Sequence, residues 1–309
     1  MLLVDDHPQV LARLSTMLSE DFEVAAAVTD GSEALDAVRA VAPDLIVLDI
    51  NMPRLGGLQT MLALTEAGSE IPVVFLSMFD EEEMIDAAFR SGGRGYVNKS
   101  HASRHLRSAL EHVRDGRVFA PSLTSLLRLN SGSGAGHAMQ LYGDPSFLDG
   151  LAALFDGALQ RGDAACVIGT PEIREGLSMR LRDRGWDVQG LVRYRAVDTA
   201  DALSRFMRDG LPDATVLADI AAELEGYRRG VTDGSRRLTL FGNMAERLIV
   251  AGNHDAAVAL ENIWSAVTHD LPFFTVCGYH ASCFRQNDTN LWSSVCAQHD
   301  AFTQTGDAS

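Results

Sequence analysis

Lysine is almost missing from this sequence. Lys and Arg together number 26, and Lys99 is the single lysine among them. Chance must put one lysine somewhere, but a compact ammonium differs physically from the planar guanidinium used everywhere else. Cysteine is scarce too. All four cysteines fall in the second half, at Cys166, Cys277, Cys283 and Cys296, which excludes a disulfide scaffold and predicts reduced thiols in the cytoplasm. No apolar run approaches the roughly 20 residues that span a bilayer, so no membrane contact is expected. The opening residues run straight into Asp5-Asp6, unlike a signal peptide. Positive charge is short overall, with a net charge of −16. Residues 1–128 hold 19 acidic and 11 basic residues, and the remainder is equally acidic in net terms. Such surfaces repel phosphate backbones, and no basic recognition helix stands out, so no nucleic-acid partner is expected.

What is present is globular. The chain has 309 residues, 46% hydrophobic and 22% charged, which suits two domains with a core each. The first half is organised around Leu45-Ile46-Val47-Leu48-Asp49-Ile50-Asn51-Met52-Pro53. An apolar strand runs into one acid, Pro53 stops regular pairing, and Gly56-Gly57 turn the chain into a helix. An aspartate at a strand end is often only a turn former. Its company argues for more. Asp5 and Asp6 end the first strand, Ser77 the fourth and Lys99 the fifth. In an open parallel sheet these carboxyl ends lie along one edge, where ligands bind. Clustered carboxylates need a divalent cation, and an all-oxygen set suits Mg²⁺. A carboxylate beside such a cation can attack a phosphoryl group, with Ser77 and Lys99 holding its oxygens.

At Leu3-Val4-Asp5-Asp6-His7-Pro8, Leu48–Pro53, Phe75-Leu76-Ser77 and Gly95-Tyr96-Val97-Asn98-Lys99 the chain resembles the response-regulator receiver domain. The resemblance implies that Asp49 accepts the phosphoryl group. It implies that Mg²⁺ is held by Asp6, Asp49 and the backbone carbonyl of Asn51, with Asp5 acting through water. Ser77 and Tyr96 would be the switch pair and Lys99 the phosphoryl-binding cation. The acidic pair usually lies further from the start, which points to a start codon upstream. The fold implied is a flavodoxin-like, doubly wound, five-stranded parallel sheet.

Along the chain, helices are expected from Pro8, over 32–41, over Leu58–Ala67, after the acidic run Asp80–Glu83, and over 101–115. Glu23–Val28 reads as a strand, and residues 118–130 as a short helix or connector with Leu123, Leu126 and Leu127 inward. Ser131–Gly136 is the plainest linker. The domains are therefore set at 1–120 and 137–303, with a connector at 121–136 and a tail at 304–309. In the second half, strands are expected at Met139–Tyr142, Ala164–Gly169, Asp187–Leu191, Tyr194–Val197, Arg237–Phe241 and Phe273–Cys277, the last of them. Helices are expected over 145–160, 171–184, 199–208, 212–228, 243–251, 254–268 and 289–300.

Catalytic motifs are weak there. Val167–Ser178 has the strand-turn-helix context of a phosphate-binding loop, but Leu177 stands where the lysine belongs, and Glu172 and Glu175 would repel phosphates. Cys277/His280 and Cys296/His299 form two Cys-x-x-His units that could supply zinc ligands. Burial of Cys277 at a strand end, and ordinary helical spacing at the other pair, favour packing.

This half resembles the MEDS domain, a sensory module of methanogens and methylotrophs. The matching residues are His137–Tyr142 with Asp144 and Phe147, Ile168–Pro171, Phe241–Met244, Ala251-Gly252-Asn253, Leu260–Trp264 and Cys277-Gly278-Tyr279. The resemblance implies an α/β domain related to RecA/KaiC-like folds without the nucleotide loop, and a small organic ligand. One departure is Asn243, where an acid is expected. His137, Tyr142, Glu261, Trp264, Cys277 and Tyr279 are the candidate pocket residues, with core packing the competing role.

The leading function is a cytoplasmic response regulator of a two-component phosphorelay. A histidine kinase or phosphotransfer protein would phosphorylate Asp49, and a non-DNA-binding sensory or interaction domain would pass the signal to a downstream protein. A homodimer and a small-molecule ligand of the second domain stay open. The alternatives are a nucleotide-dependent enzyme in the second domain, or a scaffold whose dimerisation phosphorylation controls.

Overall fold

In the computed structural model the chain forms two compact units, Met1–Pro121 and Ser122–Ser309. Residues 1–123, 125, 126, 136–143, 146–233, 236–285 and 289–305 are described. Leu127, most of the Gly/Ser linker (131–135) and Asp144 lie outside them.

The first unit alternates strand and helix: β1 (Leu2–Val4), α1 (Pro8–Leu18), β2 (Ala26–Val28), α2 (Gly31–Val41), β3 (Ile46–Asp49), α3 (Gly57–Glu66), β4 (Val73–Ser77), α4 (Glu82–Arg90), β5 (Gly95–Asn98), α5 (Ala102–Arg114) and the two-residue β6 (Val118–Phe119). The strands are parallel, in the order β2-β1-β3-β4-β5. Order reverses between β1 and β3, so their carboxyl ends flank a crevice. β1, β3 and β4 read as continuous apolar runs and are buried along their length, as strands covered on both faces require. Leu2, Val4, Ile46, Leu48, Val73 and Phe75 pack with Tyr96 in one cluster. β2 is shorter than its sequence suggests, because its ladder with β1 begins only at Leu2↔Ala26. Val118–Phe119, expected in a connector, instead pairs beyond β5 through Gly95↔Phe119.

His112 on α5 is buried, with Nδ1 2.7 Å from the Ser108 carbonyl. Burial lowers its pKa to about 4, with Arg117 adding to the effect against the Ser108 contact. The unfolded chain therefore takes up this proton first as pH drops, near 6.5. Stability from the neutral imidazole is intact above that pH and is lost as pH falls toward 4. Urea titrations of wild type and His112→Gln should show wild type losing about 2–3 kcal/mol more than the variant between pH 7 and pH 4. Equal losses would contradict this.

The second unit contains β7 (Gly136–Tyr142), α6 (Phe147–Gln160), β8 (Ala164–Gly169), α7 (Pro171–Asp183), β9 (Tyr194–Asp198), α8 (Thr199–Phe206), β10 (Met207–Arg208), β11 (Leu211–Pro212), α9 (Ala214–Val231), β12 (Leu238–Gly242), α10 (Met244–Val250), α11 (His254–Thr268), β13 (Phe273–His280), α12 (Thr289–Cys296) and β14 (Ala301–Thr305). Its parallel sheet runs β14-β7-β13-β12-β8-β9.

Three local readings are corrected. Asp187–Leu191 is not a strand: the Asp187 carboxylate accepts from the Gln189 N–H and its carbonyl from the Gly190 N–H, closing a turn. The helix expected to reach residue 208 stops at Phe206. Asp209 and Gly210, with φ of 50° and 83°, make the tight turn of a hairpin between β10 and β11. The helix expected over 289–300 ends at Cys296, and β14 follows it parallel to β7, so Phe273–Cys277 is not the last strand. β14 has only two apolar residues, Ala301 and Phe302, followed by Thr303 and Gln304. Its pattern resembles a tail until β7 buries it. Leu177 is fully buried in α7, so the lysine position of a phosphate loop is a core leucine here. No helix among the described residues is long and apolar enough to cross a membrane.

Candidate functional site

In the first unit the strand ends converge as the sequence predicts. Lys99, just after β5, places Nζ 2.7 Å from Asp49 Oδ2 and 2.7 Å from Asp5 Oδ2. Both carboxylates are buried. Asp49 Oδ1 accepts the Asn51 N–H at 3.2 Å, and Asp5 Oδ1 accepts the His7 N–H at 3.0 Å. Asp6 is half-buried and lies 2.8 Å from His7 Nδ1. Gly57 opens α3 against the end of β3. A Cβ there would meet the Asp49 carbonyl oxygen at 2.2 Å, so only glycine lets the helix start this close.

Burial pushes the Asp49 carboxyl above its ordinary range. Lys99 pulls the other way, and the neighbouring Asp5 charge pushes further up. The Lys99 ammonium is desolvated too, but its contacts with Asp49 and Asp5 outweigh that and raise its pKa. One cation thus faces two buried anions, with a third carboxylate at the rim. The donor set is all oxygen, and Asp5 Oδ2 and Asp6 Oδ1 are buried atoms with charge contacts but no aligned hydrogen bond. These residues fit a Mg²⁺ ion.

Ser77 and Tyr96 are both fully buried and meet at one residue. Ser77 Oγ accepts the Phe79 N–H at 3.1 Å, and the Tyr96 hydroxyl donates to the Phe79 carbonyl at 2.6 Å. Met78 and Phe79 themselves are 62% and 45% exposed. The strand-end loop therefore carries apolar side chains outward and is gripped from inside by two hydroxyls.

In the second unit the six candidate residues divide. His137, Glu261, Cys277 and Tyr279 come together. Glu261 Oε2 lies 3.3 Å from His137 Nε2 and 3.4 Å from Cys277 Sγ, while the Tyr279 hydroxyl donates to Oε1. Trp264 sits beside them, its indole N–H on Thr275 Oγ1 at 3.3 Å. Tyr142 belongs elsewhere: its hydroxyl donates to Glu246 at 2.9 Å, in a network with Asn243 and Thr199. Asn243, where an acid was expected, donates to Glu246 Oε2 at 3.0 Å. The acid of this site stands one helical turn later, a spacing legible in Asn243-x-x-Glu246.

Of the two Cys-x-x-His units, His280 and Cys296 stay out of this cluster, and Cys277 enters it together with His299. Its Nε2 lies 3.5 Å from Glu261 Oε2. His280 instead places Nδ1 2.7 Å from Ser282 Oγ, and Cys296 packs on the Met139 sulfur, so the two Cys-x-x-His units do not gather. Burial alone would raise the Glu261 carboxyl. His299, His137 and the Tyr279 hydroxyl hold it down to about 2. The same carboxylate, with burial as the larger cause, pushes the Cys277 thiol and Tyr279 phenol well above their usual values.

Comparison with known proteins finds one family match in each unit. A family described as response regulator receiver domain matches residues 1–111, and one described as MEDS, methanogen/methylotroph, DcmR sensory domain, matches residues 136–295. The nitrate/nitrite response regulator protein NarL of Escherichia coli is 31% identical over 42% of this chain and 63% of its own length. The oxygen regulatory protein NreC of Staphylococcus epidermidis is 34% identical over 38% of this chain and 56% of its own. The chain thus spans less than two thirds of these relatives. Among solved structures, the signal receiver domain of the putative response regulator NarL from Mycobacterium tuberculosis is 27% identical over 38% of this chain and 95% of its own, with a TM-score of 0.36.

Proposed function

The chain belongs to the MEDS family and carries a response-regulator receiver domain ahead of its MEDS domain, and from that premise we propose that it is a cytoplasmic phosphorelay protein phosphorylated on Asp49. The observation that carries this reading is the Lys99 ammonium held 2.7 Å from both Asp49 and Asp5 at the carboxyl ends of the sheet. The donor is a histidine kinase or phosphotransfer protein. An Asp49 oxygen attacks the phosphorus, the bond to the donor breaks, and an acyl phosphate remains. Asp6, Asp49 and the Asn51 carbonyl would hold Mg²⁺, which neutralises charge on the phosphoryl oxygens when bound. Lys99 leaves its ion pair for a phosphoryl oxygen, and Ser77 turns its hydroxyl toward another.

That turn frees the Phe79 N–H, and with it one of the two grips on the exposed loop. Tyr96 and the loop then adopt a second arrangement, which downstream contacts read. The output falls to the MEDS domain, bounded at about 137–303, acting on a protein partner. Its acidic charge disfavours DNA. Hydrogen exchange on the full chain, with and without a small phosphodonor and Mg²⁺, tests the whole reading. Protection should change around 77–98 and also within 136–305. Changes confined to residues 1–121 would contradict transmission to the MEDS domain.

A further inference from the structure

We propose that His137, Glu261, Cys277 and His299 form a closed, four-ligand zinc site inside the MEDS domain. Four ligand atoms, two imidazole nitrogens, a sulfur and a carboxylate oxygen, all lie within 4.8 Å of one another. His137 comes from β7, Cys277 from the adjacent β13, Glu261 from α11, and His299 from the turn before β14. The turn is pinned, since the Asp300 N–H donates to the His137 carbonyl at 2.7 Å and the Asp300 carboxylate accepts the His137 N–H at 3.2 Å.

The spacings separate a metal site from a simple ion-pair cluster. His137 Nε2, Cys277 Sγ and His299 Nε2 lie 3.3, 3.4 and 3.5 Å from the same oxygen, Glu261 Oε2. Charge-assisted hydrogen bonds close to about 2.7–2.9 Å. Both imidazole nitrogens stand outside that range, while the thiol at 3.4 Å is within ordinary reach of sulfur, so three groups crowd one oxygen. Tetrahedral zinc, with bonds of about 2.0–2.3 Å, sets its ligands roughly 3.3–3.8 Å apart. The His137–Cys277 separation of 3.2 Å is close to that edge.

Proton placement points the same way. His299 Nδ1 lies 2.8 Å from the Val295 carbonyl, which can only accept, so Nδ1 carries the proton. That leaves Nε2, which faces Glu261 Oε2 at 3.5 Å, as the atom a metal would take. The outer contacts are those a metal site uses: His299 Nδ1–H on a backbone carbonyl, and the Tyr279 hydroxyl on the free Glu261 oxygen. The adjoining cavity, bounded by Glu261, Trp264, Cys277 and Tyr279, measures about 20 Å³, room for a single water. Four protein ligands and so little space make the site structural. A mixed nitrogen, sulfur and oxygen set of four favours zinc over magnesium or calcium. Binding releases the Cys277 proton to solvent as the thiolate takes the metal.

The test uses the full chain, stripped with chelator and titrated with zinc or cobalt(II) alone. One equivalent per chain should bind, and the cobalt form should show the strong visible absorption of a tetrahedral site with a thiolate charge-transfer band. Cys277→Ser should lose that band, whereas Cys296→Ser and Asp49→Asn should keep it. Cys277→His, which exchanges one ligand for another, should keep the metal and lose only the band. Less than about a tenth of an equivalent bound, or a cobalt spectrum unchanged in Cys277→Ser, would overturn the proposal.

Discussion

Asp49→Asn should abolish phosphoryl uptake from a small phosphodonor, lowering it more than about 10³-fold, while stabilising the metal-free receiver domain. The first effect is chemical, because an amide oxygen does not form an acyl phosphate under these conditions. The second follows from linkage. The folded state raises the Asp49 pKa, chiefly through burial. For an acid shifted this way, the ionised form is worse off in the fold than in the unfolded chain. Stability is therefore lost as pH rises through the folded pKa, and at neutral pH the charge is a burden. Asparagine removes that burden and leaves Lys99 with Asp5 alone, so the apo protein should gain about 1 kcal/mol. Mg²⁺ should reverse the order, stabilising wild type more than the variant. Intact mass and denaturant titrations with and without Mg²⁺ check both parts. A variant that still gains a phosphoryl group, or one destabilised without Mg²⁺, would contradict the assignment.

Glu261→Ala should cost the MEDS domain about 3–5 kcal/mol, the range for breaking a buried charge cluster by removing one partner. The carboxylate accepts from Cys277 and Tyr279 and lies 3.3 and 3.5 Å from His137 and His299 Nε2, and His137, His299 and Tyr279 are buried. For a unit of this size the loss corresponds to a fall in Tm on the order of 10 °C. Its pH dependence has a definite sign. A carboxyl held down to about 2 contributes stability above the unfolded value near 4.5 and loses it as pH falls through the folded one. The gap between wild type and variant should therefore narrow from about pH 4.5 down to about pH 2. Calorimetry of both proteins at pH 7 and about pH 3 reads this directly. A cost under about 1 kcal/mol at pH 7 would mean that Glu261 is not the hub of the cluster.

The receiver site was legible because its residues sit at strand ends, where local pattern and global position coincide. Leu45–Leu48 must be a buried strand, Pro53 must end it, and Asp49 is then at the sheet edge whatever else folds. Lys99 was marked twice, by its place at the end of the fifth strand and by being the single lysine. The MEDS cluster was harder to see, because its members lie far apart in sequence. His137 and His299 meet only through β14, whose Thr303 and Gln304 carry no apolar signal. With no strand expected after residue 300 and the tail set at 304–309, His299 stayed on a helix beside Cys296, and the zinc reading grouped it with Cys296 and His280 as well as Cys277. Tyr142 was assigned to the right half and the wrong neighbours. It alternates with His137 on one strand, and its partner Glu246 is visible only once Asn243 is placed before α10. The Asp209-Gly210 hairpin was missed for a different reason, since the helical pattern of 199–206 masks a turn signal at its end.

The most direct measurement is borohydride trapping of the phosphodonor-treated full chain, followed by peptide mapping. Reduction of an aspartyl phosphate leaves homoserine at the modified position. Homoserine at residue 49, formed only with Mg²⁺ present, is the predicted result. Homoserine at another aspartate, or a phosphoryl group that resists borohydride, would contradict Asp49 as the acceptor.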